Sequence, residues 1–180
     1  MDTSVIIVGA GPTGLMLASE LRLAGADVTV LERLNEPSGE SRGLGFTART
    51  LEVFRQRGLM ERFGEVATSS AGHFGGVPLD FAVLDGIHFS ANGIPQWTTE
   101  RVLTEWAVEL GADIHRGTEL VKVADLGDTV EAVVRTEDGD RTLRASYLVG
   151  CDGGRSTVRR IMGFDFPGSD GSTIPALVQA

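Results

Sequence analysis

The 180-residue sequence predicts an α/β fold, in which a Rossmann-like parallel sheet around a βαβ dinucleotide-binding unit carries an antiparallel three-stranded meander. Three observations indicate this fold class. An apolar, β-branched run at residues 5–8 leads into a glycine-rich turn, as expected of a strand buried on both faces. A helical pattern and a second apolar strand, residues 28–31, follow directly. Further along, residues 113–150 contain short alternating segments with turn signals, which are typical of antiparallel strands.

The turn after the first strand carries three glycines in the spacing Gly-x-Gly-x-x-Gly. We expect Gly9 to permit the tight turn, Gly11 to leave space for a pyrophosphate, and Gly14 to let the helix pack closely on the strand. The helix N-terminus adds N–H groups and a partial positive charge that favour phosphate. Glu32 ends the second strand, where its carboxylate could accept both hydroxyls of an adenosine ribose. The combination predicts a nucleotide site, and the alternative is a glycine turn that binds no nucleotide.

Apolar spacing and end signals predict the helices. In the first helix, Leu17, Leu21 and Ala24 are expected to form the buried face. A later helix, in the sequence WTTERVLTEWAVELG, is expected to be capped by Thr98 or Thr99. These assignments rest on local pattern alone.

The segments between these helices give weaker signals. Residues 40–46 form a glycine-rich loop that carries Arg42, which is either a solvated charge or a contact to a phosphate or flavin. Residues 73–77 and 79–84 are predicted to be paired strands.

Composition narrows the classes of partner. The net charge is −9, from 25 acidic and 16 basic residues, which argues against nucleic acid or an anionic membrane surface as a partner. We expect no signal peptide or membrane-spanning segment, because no sufficiently long apolar run is visible. The single cysteine, Cys151, cannot form an internal disulfide and fits the reducing cytoplasm. Three scattered histidines and one cysteine offer no metal-ligand spacing, so no metal is expected.

A second glycine-containing turn follows a further apolar strand. Residues 151–160 have the sequence CDGGRSTVRR, after an apolar run at 147–149 that we interpret as a return strand of the parallel sheet. Asp152 is placed to accept backbone or cofactor hydrogen bonds where the chain turns, and the glycines let the turn approach a cofactor closely. The alternative is an aspartate that caps the following helix.

Three stretches together resemble a known family. The sequences GAGPTGLMLASELRLAG (9–25), VTVLER (28–33) and ESRGLGFTARTLEVFRQRGL (40–59) are similar to the N-terminal part of the FAD-dependent aromatic hydroxylases. These are class A flavoprotein monooxygenases of the para-hydroxybenzoate hydroxylase-like type. The similarity is greatest to the polyketide hydroxylases that oxygenate angucycline- and anthracycline-type rings. The Asp152-Gly153 pair also matches a signature of this family.

The resemblance implies a set of FAD-binding residues at matching positions of this sequence. Glu32 would bind the ribose, Arg33 would lie near the adenine, and the backbone of Leu120 would meet the adenine. The pyrophosphate turn matches at Gly9, Gly11, Pro12, Thr13 and Gly14. The remaining FAD contacts that the resemblance implies are Arg42 on the loop before the second helix, Gly43 beside the isoalloxazine ring, Gln96, and Asp152.

The function implied by the resemblance is a monooxygenase. Members of this family use NADPH or NADH to reduce FAD and then use O2 to hydroxylate a small aromatic substrate, here of polyketide type. The alternatives are an NAD(P)-dependent reductase with the same fingerprint, or a non-catalytic nucleotide-binding module. The sequence offers no nucleophile or general base of its own, so no catalytic residue is assigned.

The resemblance also implies a division of the chain. We expect residues 1–165 to be the N-terminal part of an FAD-binding domain and residues 166–180 to begin a substrate-binding domain. The return signature and the second sheet of the family do not occur in these 180 residues, so we expect them alone to be inactive as a hydroxylase. The oligomeric state is not predicted.

Overall fold

The computed structural model describes residues 1–39, 43, 45–84 and 91–168. Within this range, a four-stranded parallel sheet lies between a layer of helices and a three-stranded antiparallel sheet, which confirms the predicted fold class. In chain order the elements are β1 (Val5–Val8), α1 (Pro12–Leu23), β2 (Val28–Leu31), α2 (Ala48–Gln56), β3 (Ala67–Ser69), β4 (Ala71–Phe74), β5 (Val77–Asp80), β6 (Ala91–Gly93), α3 (Gln96–Glu109), β7 (Asp113–His115), β8 (Glu119–Asp125), β9 (Val130–Thr136), β10 (Gly139–Ala145), β11 (Tyr147–Gly150) and α4 (Thr157–Ile161).

The parallel sheet has the strand order β11-β1-β2-β7, so the two strands that precede the glycine-containing turns are neighbours. In β1, Val5 is in register with Tyr147 of β11 on one side and with Val28 of β2 on the other. The predicted return strand is therefore confirmed. Because the carboxyl ends of parallel strands share one edge of a sheet, the turns after β1 and β11 come together there. Strand β7 was not predicted as part of this sheet.

Strand β1 contributes to two separate cores, because successive side chains of a strand point to opposite faces. Ile7 packs in the core under the helices, together with Val30 of β2. Ile6 packs against the antiparallel sheet, together with Leu31 of β2 and Val134 of β9. Both faces of the parallel sheet are thus buried, as the uninterrupted apolar run at residues 5–8 indicated.

Helix α1 buries a wider surface than the sequence pattern predicted. Its fully buried residues include Leu15 and Ala18, whereas Leu17 and Leu21 are only partly buried and Ala24 is exposed. The predicted face was therefore wrong in part. The reason is tertiary, because α1 packs against the sheet on one side and along α3 on another. A helix with two partners has no single apolar stripe.

The beginning of α3 also differs from the prediction. The helix starts at Gln96, with Pro95 in the N-cap position, so Thr98 and Thr99 lie in the first turn and neither caps it. Thr99 is fully buried, and its hydroxyl donates to the Pro95 carbonyl at 3.3 Å. A threonine inside a helix satisfies its hydroxyl in this way. The proline supplies a fixed φ at the point where the chain enters the helix.

The predicted strand pair at residues 73–77 and 79–84 has different bounds. Strands β4 and β5 pair in antiparallel orientation, and Gly75 and Gly76 form the turn between them with positive φ values of 57° and 84°. Residues 81–83 form a short 3-10 turn instead of a strand. The presence of two paired strands in this region was predicted correctly, but the predicted partners were wrong, because the observed pairs join residues 71–74 to residues 77–80. The two glycines supply the left-handed turn and therefore end the first strand at Phe74.

The antiparallel meander, β8 to β10, is confirmed. Glu137 and Asp138 form the turn between β9 and β10, whereas a turn at Asp138-Gly139 was expected, and Gly139 already belongs to β10. Strand β9 lies in the centre, between β8 and β10. A bulge between Leu120 and Lys122 interrupts the register of β8 with β9. The meander closes the face of the parallel sheet opposite the helices.

An ion pair links helix α1 to the end of α2, and its effect on stability should depend on pH. Arg57 donates to both carboxylate oxygens of Glu20, at 2.6 and 2.8 Å, and these hydrogen bonds lower the pKa of Glu20. A lowered folded-state pKa stabilises the fold above the unfolded-state pKa, and this contribution is lost as the pH falls through the folded-state value. We expect Glu20→Gln to lower the unfolding midpoint by about 2 °C near neutral pH.

The difference between Glu20→Gln and the wild type should shrink as the pH falls below the unfolded-state pKa of Glu20. It should disappear only once the pH is below the lowered folded-state pKa. Thermal unfolding followed by circular dichroism at several pH values measures it. Glu52→Gln is the matched control, because Glu52 pairs with Arg49 on the exposed surface of a single helix. A pH-independent difference for Glu20→Gln would contradict the assigned cause.

Candidate functional site

The glycine turn after β1 lies directly against the turn after β11. Cys151 N–H donates to the Val8 carbonyl at 2.7 Å, which extends the strand pairing to the start of the second turn. A Cβ built on Gly9 would lie 2.5 Å from the Cys151 carbonyl oxygen and 3.0 Å from the Asp152 Cα. Gly9 also has a φ of 106°, which L side chains rarely adopt. Glycine is thus needed at this position both for the turn and for the contact with the second motif.

Gly14 permits the close approach of α1 to the same turn. A Cβ on Gly14 would overlap the Gly9 carbonyl oxygen, and it would lie 3.3 Å from the Cβ of Cys151. The helix can therefore lie this close to the strand end only with glycine at position 14. This contact matches the packing expected from the spacing of the motif.

Gly11 differs from the other two glycines, because no atom of the described residues, apart from its own chain neighbours, lies within 4 Å of the position that its Cβ would occupy. Its φ of −78° is also ordinary for any residue. The protein's own packing therefore does not require glycine here. A side chain at this position would instead fill the open space in front of the α1 N-terminus, where a pyrophosphate could lie.

Hydrogen-bond donors border this open space. Within the residues that the structure describes, the N–H groups of Gly11, Thr13 and Gly14 make no hydrogen bond. Pro12 occupies the first helical position and has no N–H to offer, while Thr13 is exposed. Unpaired N–H groups at a helix N-terminus attract phosphate, and the helix dipole adds to the effect.

Glu32 connects the second strand to the glycine turn. Its Oε2 accepts a hydrogen bond from Ala10 N–H at 2.9 Å, and its Oε1 accepts one from Leu34 N–H at 2.9 Å. Side chains alternate along the strand, so Glu32 points to the same side as Val30, toward α1. The carboxylate thus reaches the turn directly.

Arg33 and Leu120 are the two residues that the resemblance assigns to the adenine. Arg33 is exposed and lines a cleft of about 690 Å³ at the ends of β2 and β7, which the β9–β10 turn closes on its other side. Leu120 is 4% exposed, and its side chain packs in the core under the meander. The side chain of Leu120 is therefore not available to a ligand.

Asp152 uses both carboxylate oxygens to organise its own turn. Its Oδ1 accepts from the Ser156 hydroxyl at 2.5 Å, while its Oδ2 accepts from the N–H groups of Thr157 at 2.5 Å and Val158 at 3.1 Å. The Asp152 carboxylate thus binds the first two N–H groups of α4, in line with the capping interpretation, while Ser156 occupies the N-cap position and its hydroxyl accepts from Arg159 N–H at 3.0 Å. Any contact with a cofactor would use the remaining lone pairs of these oxygens or the backbone of the turn.

Three more residues were predicted to contact the cofactor, namely Gln96, Gly43 and Arg42. Gln96 begins α3, and its Nε2 donates to Glu100 Oε1 at 2.7 Å. Gly43 is exposed. Arg42 lies outside the described residues. The structure therefore brings together the two turns and Glu32, and it leaves the contribution of these three residues as a prediction.

Ala10 and Cys151 border the site but were not assigned roles from the sequence. Ala10 supplies the N–H that Glu32 binds, and Cys151 supplies the carbonyl that lies against Gly9. Burial raises the pKa of the Cys151 thiol, and the Asp152 carboxylate raises it further, so the thiol is neutral at physiological pH. No local pattern marks either residue, because both act through their backbone.

No group of three or more His, Cys, Asp or Glu residues in the described part of the chain could hold a metal ion. Among the described helices, none is long and apolar enough to cross a membrane.

The sequence and the structure are similar to known flavin-dependent enzymes. The chain matches the FAD binding domain family over residues 2–180. It is 50% identical over 173 residues to the 12-dehydrotetracycline 5-monooxygenase/anhydrotetracycline 6-monooxygenase of Streptomyces rimosus, which covers 94% of this chain and 34% of that relative.

Two solved structures show the same similarity. The structure of BexE, studied for oxidation during BE-7585A biosynthesis, has a TM-score of 0.89 and 65% identity, over 94% of this chain and 35% of that one. CabE, an aromatic hydroxylase from angucycline biosynthesis, has a TM-score of 0.89 and 59% identity over the same shares. The chain spans about a third of the length of these relatives. Because the family match extends over nearly the whole sequence, the chain belongs to the FAD binding domain family.

Proposed function

We propose that the chain binds FAD across its two adjoining turns, as part of a monooxygenase that hydroxylates an aromatic, polyketide-type substrate. The reductant in this proposal is NADPH or NADH, and the location is the cytoplasm. The observation that carries the proposal is the open space at Gly11, which is bordered by unpaired N–H groups and lies beside Glu32. The relatives named as a monooxygenase and an aromatic hydroxylase support the reaction class.

The described residues fit the adenosine diphosphate half of FAD. We propose that the pyrophosphate lies on the N–H groups of residues 11–14, that the ribose hydroxyls bind Glu32, and that the adenine lies between Arg33 and the backbone of Leu120. Gly9 and Pro12 shape the turn without contributing a free N–H group. When bound, FAD would supply the oxygen-transfer chemistry, and the protein would supply placement and exclusion of water.

The flavin half of the cofactor is assigned by resemblance. Arg42, Gly43, Gln96 and Asp152 are proposed to contact it. Residues 1–165 would form the FAD-binding domain, and residues 166–180 would lead toward the substrate-binding region.

A chimeric enzyme tests the cofactor and the reaction together. We would replace the matching N-terminal third of CabE with this chain, because the two are 59% identical over 94% of this chain. The purified chimera is expected to bind FAD and to couple the oxidation of NADPH or NADH to hydroxylation of the CabE substrate. Absorbance spectroscopy measures bound flavin, and chromatography separates hydroxylated product from released peroxide.

Different results would refute the proposed cofactor site and the proposed reaction. A folded chimera that does not bind FAD would refute the proposed cofactor site. If the chimera binds FAD but does not hydroxylate under conditions in which CabE does, the proposed reaction is wrong for this chain. Unmodified CabE is the positive control in both measurements.

A further inference from the structure

The carboxylate of Glu32 joins two turns that are separate in sequence. It binds Ala10 N–H in the glycine turn and Leu34 N–H in the turn after β2, both at 2.9 Å. Ala10 is 4% exposed, and within the described residues its N–H makes no other hydrogen bond. The amide between Gly9 and Gly11 therefore depends on a side chain that lies 22 residues further along the sequence.

The backbone of Glu32 is held firmly, which makes it a suitable support. Glu32 N–H donates to the His115 carbonyl at 2.8 Å, and Thr118 N–H donates to the Glu32 carbonyl at 2.9 Å. The preceding residue, Leu31, accepts from Gly9 N–H at 2.7 Å. The end of β2 thus fixes the first two amides of the glycine turn, one through a main-chain carbonyl and the next through the Glu32 carboxylate.

The carboxylate has enough acceptor capacity to hold the turn and a ligand at the same time. A carboxylate offers about four lone-pair sites, and two of those on Glu32 are used by the backbone amides. About two remain, which equals the number of hydroxyls on an adenosine ribose. Binding of the ribose therefore does not require the turn to be released.

We propose that Glu32 is a positioning residue for the pyrophosphate turn, in addition to its proposed contact with the ribose. This inference rests on the proposed function. Through the Ala10 N–H, the carboxylate fixes the Gly9–Ala10 peptide, which directly precedes the peptide that carries the Gly11 N–H. In this way it sets the direction of the N–H groups that would meet the phosphates. Removal of the carboxylate should weaken phosphate binding even for a ligand that has no ribose hydroxyls.

A pair of ligands separates this role from direct recognition of the ribose. ADP and 2′,3′-dideoxyadenosine 5′-diphosphate would be titrated into the 180-residue chain and into its Glu32→Gln and Glu32→Leu variants, with binding followed by amide chemical shifts. Glutamine can accept only one of the two backbone bonds, and leucine accepts neither. Glu36→Gln is the control, because Glu36 is exposed and makes no hydrogen bond within the described residues.

The positioning role predicts a loss of affinity for both ligands. We expect Glu32→Leu to weaken the binding of the dideoxy ligand by at least about fivefold. The loss of affinity should be smaller in Glu32→Gln and absent in Glu36→Gln. Amide exchange of Ala10 in the ligand-free chain should also accelerate in Glu32→Leu and not in Glu36→Gln. If both Glu32 variants bind the dideoxy ligand as tightly as the wild type and lose only ADP, Glu32 recognises the ribose alone and the inference is wrong.

The result that would refute the proposed function differs from the result that would refute the positioning role of Glu32. A wild-type chain that binds neither ADP nor FAD would refute the nucleotide site itself, irrespective of Glu32. The exchange rate of Ala10 still decides whether the carboxylate orders the turn, because unchanged exchange in Glu32→Leu would overturn that part without any ligand.

Discussion

Gly11→Val is expected to abolish detectable FAD binding while the protein stays folded. In the part of the chain that the structure describes, no atom beyond the neighbouring residues lies within 4 Å of a Cβ at this position. The φ of −78° also suits any residue, so a valine fits these surroundings without a clash. The cost to the fold should be at most about 1 kcal/mol, because valine is a poorer N-cap residue than glycine. The same side chain would occupy the space proposed for the pyrophosphate.

Two measurements on the same sample test this prediction. Isothermal titration with FAD measures binding, and thermal unfolding measures stability. Affinity equal to that of the wild type in a folded Gly11→Val variant would show that the turn does not hold the pyrophosphate.

Gly14→Val, three positions further along the same motif, is expected to destabilise the fold, whereas Gly11→Val is expected to leave the fold intact. Its Cβ would overlap the Gly9 carbonyl oxygen, which is backbone and cannot move without shifting β1 or α1. Overpacking costs about 1–3 kcal/mol and occasionally more, and an overlap with a backbone atom should lie at the upper end of this range. Such a cost is a large part of the stability of an ordinary domain. We expect the variant to unfold at much lower denaturant concentration or to be insoluble.

Each valine variant is a control for the other. Both replace a glycine of the same motif by valine, and they differ only in the atoms around the replaced residue. Urea unfolding followed by circular dichroism compares them directly. Equal stability of Gly11→Val and Gly14→Val would contradict the packing that the structure shows around Gly14. A stable Gly14→Val variant that lost only FAD binding would assign Gly14 to the ligand instead of the fold.

Much of the site was predictable because its signals are local. The glycine spacing, the strand before it and the acid at residue 32 occur within one βαβ unit, and each is tied to a backbone geometry that the residue type itself demands. Gly25 and Gly111, which follow α1 and α3, both have positive φ values, a backbone geometry at helix ends that glycine adopts readily. The meander followed from alternation with a period of two.

The sequence did not reveal the contacts between the two motifs. The position of Cys151 against Gly9 requires β11 to pair beside β1, although about 140 residues separate the two turns. The bond from Glu32 to Ala10 likewise depends on where β2 lies relative to the turn. Pairing of distant strands is set by the whole hydrophobic core, and no local pattern encodes it.

The sequence by itself therefore determined the fold class, the βαβ unit, the meander and the identity of the candidate nucleotide residues. The tertiary structure decided which face of α1 is buried, that α3 begins after Pro95, and that Asp152 uses its carboxylate as a cap. It also decided that Gly9 and Gly14 are required by the protein's own packing, whereas Gly11 borders open space. The physical reason is that backbone preferences act within a few residues, while burial and close approach depend on elements that meet only when the chain is folded.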